Sequence, residues 1–76
     1  MKFNYSVLIQ WSEEDNCFVV LLPEFKDVHQ PVTHGHSYEE AAKNAHEILE
    51  TLIDIYEKYG KALPECINFQ ESSKVA

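Results

Sequence analysis

From Phe3 to Trp11 the odd positions are apolar: Phe3, Tyr5, Val7, Ile9 and Trp11. Asn4, Ser6 and Gln10 alternate with them, and Leu8 is the one exception. A period of two puts the odd residues on one face, so the pattern predicts a strand over residues 3–11 with one buried face. Ser12-Glu13-Glu14-Asp15-Asn16 is a polar break of hairpin-loop length. The run Cys17-Phe18-Val19-Val20-Leu21-Leu22 that follows is apolar at every position. Such a strand wants cover on both faces. A later helix can supply one cover. So short a chain leaves nothing obvious for the other, which points to a dimer interface there.

Pro23 ends the second strand, and residues 24–31 form a loop of mixed charge closed by Pro31. Val32-Thr33-His34 suits a short third strand, and Gly35 a turn. Ser37-Tyr38-Glu39-Glu40 has the form of a capping box. In it the Ser37 hydroxyl accepts from the Glu40 amide, and the Glu40 carboxylate reaches back to the Ser37 amide. Two acids in the first turn also suit the helix dipole. The apolar stripe Ala41, Ala45, Ile48, Leu49, Leu52, Ile53, Tyr56 and Tyr59 then repeats at helical spacing. Gly60 stands where a helix ends in a left-handed glycine, between Lys58 and Lys61. The predicted helix, 38–59, is about 33 Å long, enough to cross a sheet of three or four strands. Leu63-Pro64 starts a return, Cys66-Ile67-Asn68-Phe69 suits a last short strand, and residues 71–76 read as a flexible polar tail. The expected fold class is α+β. A three- or four-stranded antiparallel sheet carries one long helix on one face, in the order β-β-β-α-β, within a single domain over residues 1–70.

Charge narrows the partners. The 76 residues hold 13 Asp and Glu against 6 lysines and no arginine, for a net charge of −7. Arginine is the residue best suited to bidentate phosphate contacts, and an acidic surface repels a phosphate backbone, so direct nucleic-acid binding is disfavoured. An acidic surface attracts a basic protein and speeds the encounter. No apolar run reaches membrane-spanning length, and the N-terminus lacks the apolar core of a secretion signal, so a cytoplasmic location is expected. Two cysteines, Cys17 and Cys66, are too few for a disulfide scaffold and read as small buried hydrophobes.

Catalytic chemistry finds little footing. A two-metal nuclease needs several carboxylates converging on divalent ions. Residues 3–11 and 17–22 contain none; the acids lie in the hairpin loop, the 24–27 loop and the helix. His34 and His36 point the same way on an extended backbone, and with His29 or Asp27 they suggest a metal site. Their spacing follows no standard zinc pattern, and a polar loop that contains histidines is the simpler account. His46 falls on a helix flank. Neither cysteine has a basic partner in view, and the serines show no triad. Tyr38, Tyr56 and Tyr59 fall close to the helical stripe and suit core or dimer packing. The chain is therefore expected to need no cofactor or metal and to be no enzyme.

The order and spacing of these elements resemble the HicB-like antitoxin family. Tyr5 to Trp11 is similar to the family's opening strand. Phe18 to Leu22 running into Pro23-Glu24 is similar to its second strand and Pro-Asp motif. Thr33-His34-Gly35-His36-Ser37-Tyr38-Glu39-Glu40-Ala41 is similar to its Gly-Asp-Thr-x-x-Glu-Ala helix start, and Leu63-Pro64 to the Leu-Pro after its helix. The resemblance spans about residues 3–67. The chain departs at Phe25-Lys26-Asp27-Val28, where the family usually has a Pro-Gly-Cys-like turn, and at His36, where it has Asp. Many members carry a C-terminal DNA-binding module. These 76 residues hold none, so operator binding is not carried over to them.

The resemblance implies a partial RNase H-like fold without nuclease activity. It also implies a homodimer or homotetramer whose partner is HicA, a small basic toxin that cleaves mRNA. The expected partner contacts are Glu13, Glu14 and Asp15 in the hairpin and Glu24 and Asp27 in the following loop. The alternative is an orphan homo-oligomeric structural module with no toxin partner. A third reading is a metal-binding regulator built on His29, His34 and His36.

Overall fold

The computed structural model describes residues 4–70. Phe3 of the first apolar stripe and the expected tail at 71–76 lie outside the described residues. Three strands and one helix follow in order: β1 (Leu8–Ser12), β2 (Cys17–Leu21), β3 (Thr33–Gly35) and α1 (Tyr38–Lys58). The sheet order is β1-β2-β3, with both pairings antiparallel. This is the expected α+β class, with a three-stranded sheet.

The register separates the two sheet faces. Ile9 stands opposite Val20, and Trp11 opposite Phe18. Thr33 stands opposite Val20, and Gly35 opposite Phe18. Directly opposed residues share a face, and Val20 and Leu22 are fully buried beneath the helix residues Ala41, Ala45, Leu49 and Tyr56. This set is the helix-covered face. Leu8, Gln10, Ser12, Cys17, Val19, Leu21 and His34 form the other.

β1 is shorter than the alternation predicts. The ladder stops at Leu8–Leu21, because the chain beyond Leu22 is Pro23, which has no amide hydrogen to contribute. Side chains take over from the backbone at both sides of this end. The Ser6 amide donates to both oxygens of the Glu24 carboxylate at 3.1 Å. Toward β3, the Gln30 amide accepts from Leu22 N–H and donates to Leu22 C=O, both at 2.7 Å, and donates again to Phe25 C=O at 2.9 Å. One side chain thus meets both backbone groups of Leu22, which a longer β3 would otherwise pair, and a carbonyl of the turn that follows.

The expected fourth strand is not formed. Residues 61–70 are irregular. The backbone of Ile67 is held by side chains: its amide donates to Glu24 at 2.9 Å, and its carbonyl accepts from the Ser6 hydroxyl at 3.4 Å. Glu24 thus receives a donor that a strand ladder would need.

The helix begins and ends as its sequence signals indicate, with two differences. Ser37 caps it, its hydroxyl accepting from the Glu40 amide at 3.0 Å. The Glu40 carboxylate passes Ser37 and accepts from the His36 amide instead. At the other end Tyr59 is the cap residue, 74 % exposed, and so leaves the core stripe. Gly60 takes φ +67°; its amide donates to Glu57 C=O and that of Lys61 to Tyr56 C=O. Those two bonds close a Schellman motif, and a left-handed residue there favours glycine. Gly35 is required for another reason. A Cβ on it would lie 2.5 Å from the Ala41 nitrogen, so its missing side chain lets β3 meet the first turn of α1.

Candidate protein-binding surface

The hairpin between β1 and β2 is tied locally. The Ser12 hydroxyl accepts from the Asp15 amide at 3.1 Å and donates to the Asp15 carboxylate at 3.0 Å. Asn16 takes φ 55°, a left-handed conformation that Asn tolerates better than most residues. Glu13 accepts from the Trp11 indole N–H at 3.0 Å. Glu13, Glu14 and Asp15 are all exposed. The expected hairpin acids therefore stand together on the surface, at one end of the sheet.

The two acids of the next loop are used inside the fold. Glu24 is only 6 % exposed. Besides the Ser6 and Ile67 amides, its carboxylate accepts from the Ser6 hydroxyl at 3.0 Å. Burial pushes its pKa up, but the hydrogen bonds from Ile67 and Ser6 outweigh that and hold it below the ordinary value. Glu24 therefore leaves the set of surface contacts. It joins the start of the chain, the loop after β2 and the segment after the helix. Asp27 is exposed but engaged: it pairs with Lys61 and accepts from the Tyr56 hydroxyl at 3.0 Å. Lys61, then Tyr56, holds its carboxyl below the ordinary range. Burial, then Asp27, raises the Tyr56 hydroxyl. This trio fastens the loop to the helix end, where the Lys61 ammonium also sits 4.7 Å from the Tyr56 ring centroid.

The sheet face away from α1 carries Leu8, Val19 and Leu21 in adjacent register, Leu8 being 43 % exposed. Beside them a hollow of about 440 Å³ is lined by Asp15, Cys17, Val19, Pro31, Val32, Thr33 and His34. Asp15 thus brings hairpin charge to the rim of a hollow lined by both apolar and polar side chains. A scan against protein-family models and searches of curated proteins and of solved structures give no match for this chain.

The other candidate chemistries can be placed as well. The rings of His34 and His36 lie 6.5 Å apart at 82°, and His29 does not join them: among the described residues no three His, Cys, Asp or Glu side chains come together as a cation site. Cys17 is buried, Cys66 is half-buried rather than fully buried, and both are free thiols. Tyr38 is 67 % exposed yet packs against Phe18, the ring centroids 4.4 Å apart and the planes tilted by 35°. Tyr56 is buried, edge-on to Phe25. No described helix is long and apolar enough to cross a membrane. Gln30 has no sequence signal of its role: a lone polar residue before a proline does not show that its amide stands in for a strand.

Proposed function

We propose that this chain is a non-enzymatic protein-binding domain of the HicB-like antitoxin type, which binds and neutralises a small basic RNA-cleaving toxin. The observation that carries the reading is the helix-free sheet face, where Leu8, Val19 and Leu21 lie exposed or half-buried beside a hollow rimmed by Asp15. Apolar area at the centre with charge at the rim is the anatomy of a protein interface. The net charge of −7 and the absence of arginine favour a basic protein over a nucleic acid as the occupant. The α+β class, with three antiparallel strands and the helix on one face, supports the reading at the level of fold class, without the expected last strand. A protein of this kind acts in the cytoplasm by covering the toxin's cleaving surface, with no cofactor or metal. The test is affinity capture with the tagged chain from the cells that make it. The expected result is one small basic protein that cleaves RNA alone and is silenced when the chain is added back. Recovery of the chain alone, as a stable oligomer, would replace this reading with an orphan structural module.

A further inference from the structure

The two edges of the sheet are not equally protected. β3 is three residues long and follows Pro31. The Asn44 side chain of α1 donates to His34 C=O at 2.7 Å, so an outward carbonyl of that edge is taken. β1 has five residues, Leu-Ile-Gln-Trp-Ser, with no charge and no proline. Natural edge strands are usually blunted by lysine, proline, a bulge or a covering element; β1 has no lysine or proline within its span, and among the described residues no further strand pairs with it.

Hydrogen bonds elsewhere in the sheet show which β1 groups face outward. Val20 C=O accepts from Val32 N–H, and both backbone groups of Leu22 meet Gln30, so the even residues of β2 turn toward β3. In an antiparallel strand the N–H and C=O of one residue point to the same side. The odd residues Cys17, Val19 and Leu21 therefore face β1, and through the register Ser12, Gln10 and Leu8 face back. Ser6, whose amide meets Glu24, continues that inward row. Ile9 and Trp11 then present their amides and carbonyls at the edge that no described strand pairs with. Trp11 is 46 % exposed, and Val7, just before the strand, 41 %.

We infer that this edge is the interface between two copies of the chain, paired antiparallel about Ile9 into a continuous six-stranded sheet. In that register Ile9 faces the second copy's Ile9, and Trp11 faces the second copy's Val7 on the same sheet side. The two exposed apolar side chains thereby cover each other. Charge leaves this edge as a place where a second copy can approach. A chain of net charge −7 repels itself over most of its surface, but residues 4–12 carry no charged side chain. Antiparallel pairing sets each acidic hairpin against the uncharged residues 4–6 of the other copy, and keeps the two hairpins at opposite ends. The inference stands apart from the antitoxin reading, since it leaves the helix-free face open in both copies.

One strand edge is a small contact by the standard of stable dimers, so assembly is expected at about micromolar concentration. The test is sedimentation equilibrium of the full chain over a wide concentration range, with circular dichroism on each variant. The wild type is expected to dimerise. Val7→Lys and Trp11→Pro should stay folded and weaken the dimer by about tenfold or more, because proline at an outward position removes no backbone bond of the sheet and gives up only the Trp11 side-chain contacts with Phe18 and Glu13. Gln10→Pro should unfold the protein, because that amide faces inward. Should Trp11→Pro also unfold, Val7→Lys decides. A wild type that stays monomeric leaves the edge to another partner and overturns the inference. So does a dimer indifferent to Val7→Lys, or one broken instead by Val19→Lys on the helix-free face.

Discussion

Two acidic loops lie one strand apart in sequence and do different work. In the hairpin, Glu13, Glu14 and Asp15 are exposed, and their hydrogen bonds reach no farther than Trp11 and Ser12. In the next loop, Glu24 and Asp27 reach across the fold to Ser6, Ile67, Tyr56 and Lys61. An acid's place in a loop says little about its use; its distance in sequence from its partners says more. The hairpin bonds close over two or three residues and cost nothing to expose. The Glu24 bonds span 18 and 43 residues and exist only in the folded chain.

The contrast breaks most sharply at Glu24. Glu24→Ala leaves the Ser6 amide, the Ser6 hydroxyl and the Ile67 amide without their acceptor. Urea unfolding should show a loss of about 3 kcal/mol, since each buried polar group left unsatisfied costs on the order of 1–3 kcal/mol and water recovers part of it. Acid should act on the same bonds. Glu24 has a lowered pKa in the folded chain, so its contribution is complete above the ordinary value of 4.5 and is lost as pH falls through the lower folded value. Thermal melts should therefore show a midpoint that drops below about pH 4.5, with a smaller drop in Glu24→Gln. Asp27→Asn keeps an acceptor for Tyr56 but gives up the exposed Lys61 pair, so its effect should be much smaller and should shrink in high salt. The smallest change in stability belongs to the hairpin. The triple variant Glu13→Gln, Glu14→Gln, Asp15→Asn should cost below about 1 kcal/mol, yet slow association with a basic partner and flatten its salt dependence.

The same contrast marks how far the sequence can be read. Period-two alternation, the polar hairpin, the Ser37 cap, the apolar stripe and Gly60 are local signals, and each stands where its element begins, runs or ends. The features that differ depend on contacts distant in sequence. Alternation through Tyr5 and Val7 suggests a longer β1, but its partner strand runs out at Pro23. Cys66-Ile67-Asn68-Phe69 has strand-like composition, but Glu24 engages its amide at Ile67. Tyr59 keeps the helical spacing but falls on the cap and stands exposed. Of the candidate surface, the apolar second face of β2 and the hairpin acids were legible. The roles of Glu24 and Asp27 were not, because charge alone does not reveal a partner 43 or 29 residues away.

The most direct measurement is capture of a partner by two tagged forms of the chain in parallel, the wild type and Val19→Lys, followed by an RNA-cleavage assay of what is captured. The account predicts that the wild type retains a small basic protein and suppresses its cleavage of RNA. Val19→Lys, which sets a cation in the middle of the helix-free face, should remain folded and fail at both. Equal capture by the two forms, or a captured protein whose activity the wild-type chain leaves unchanged, would contradict it.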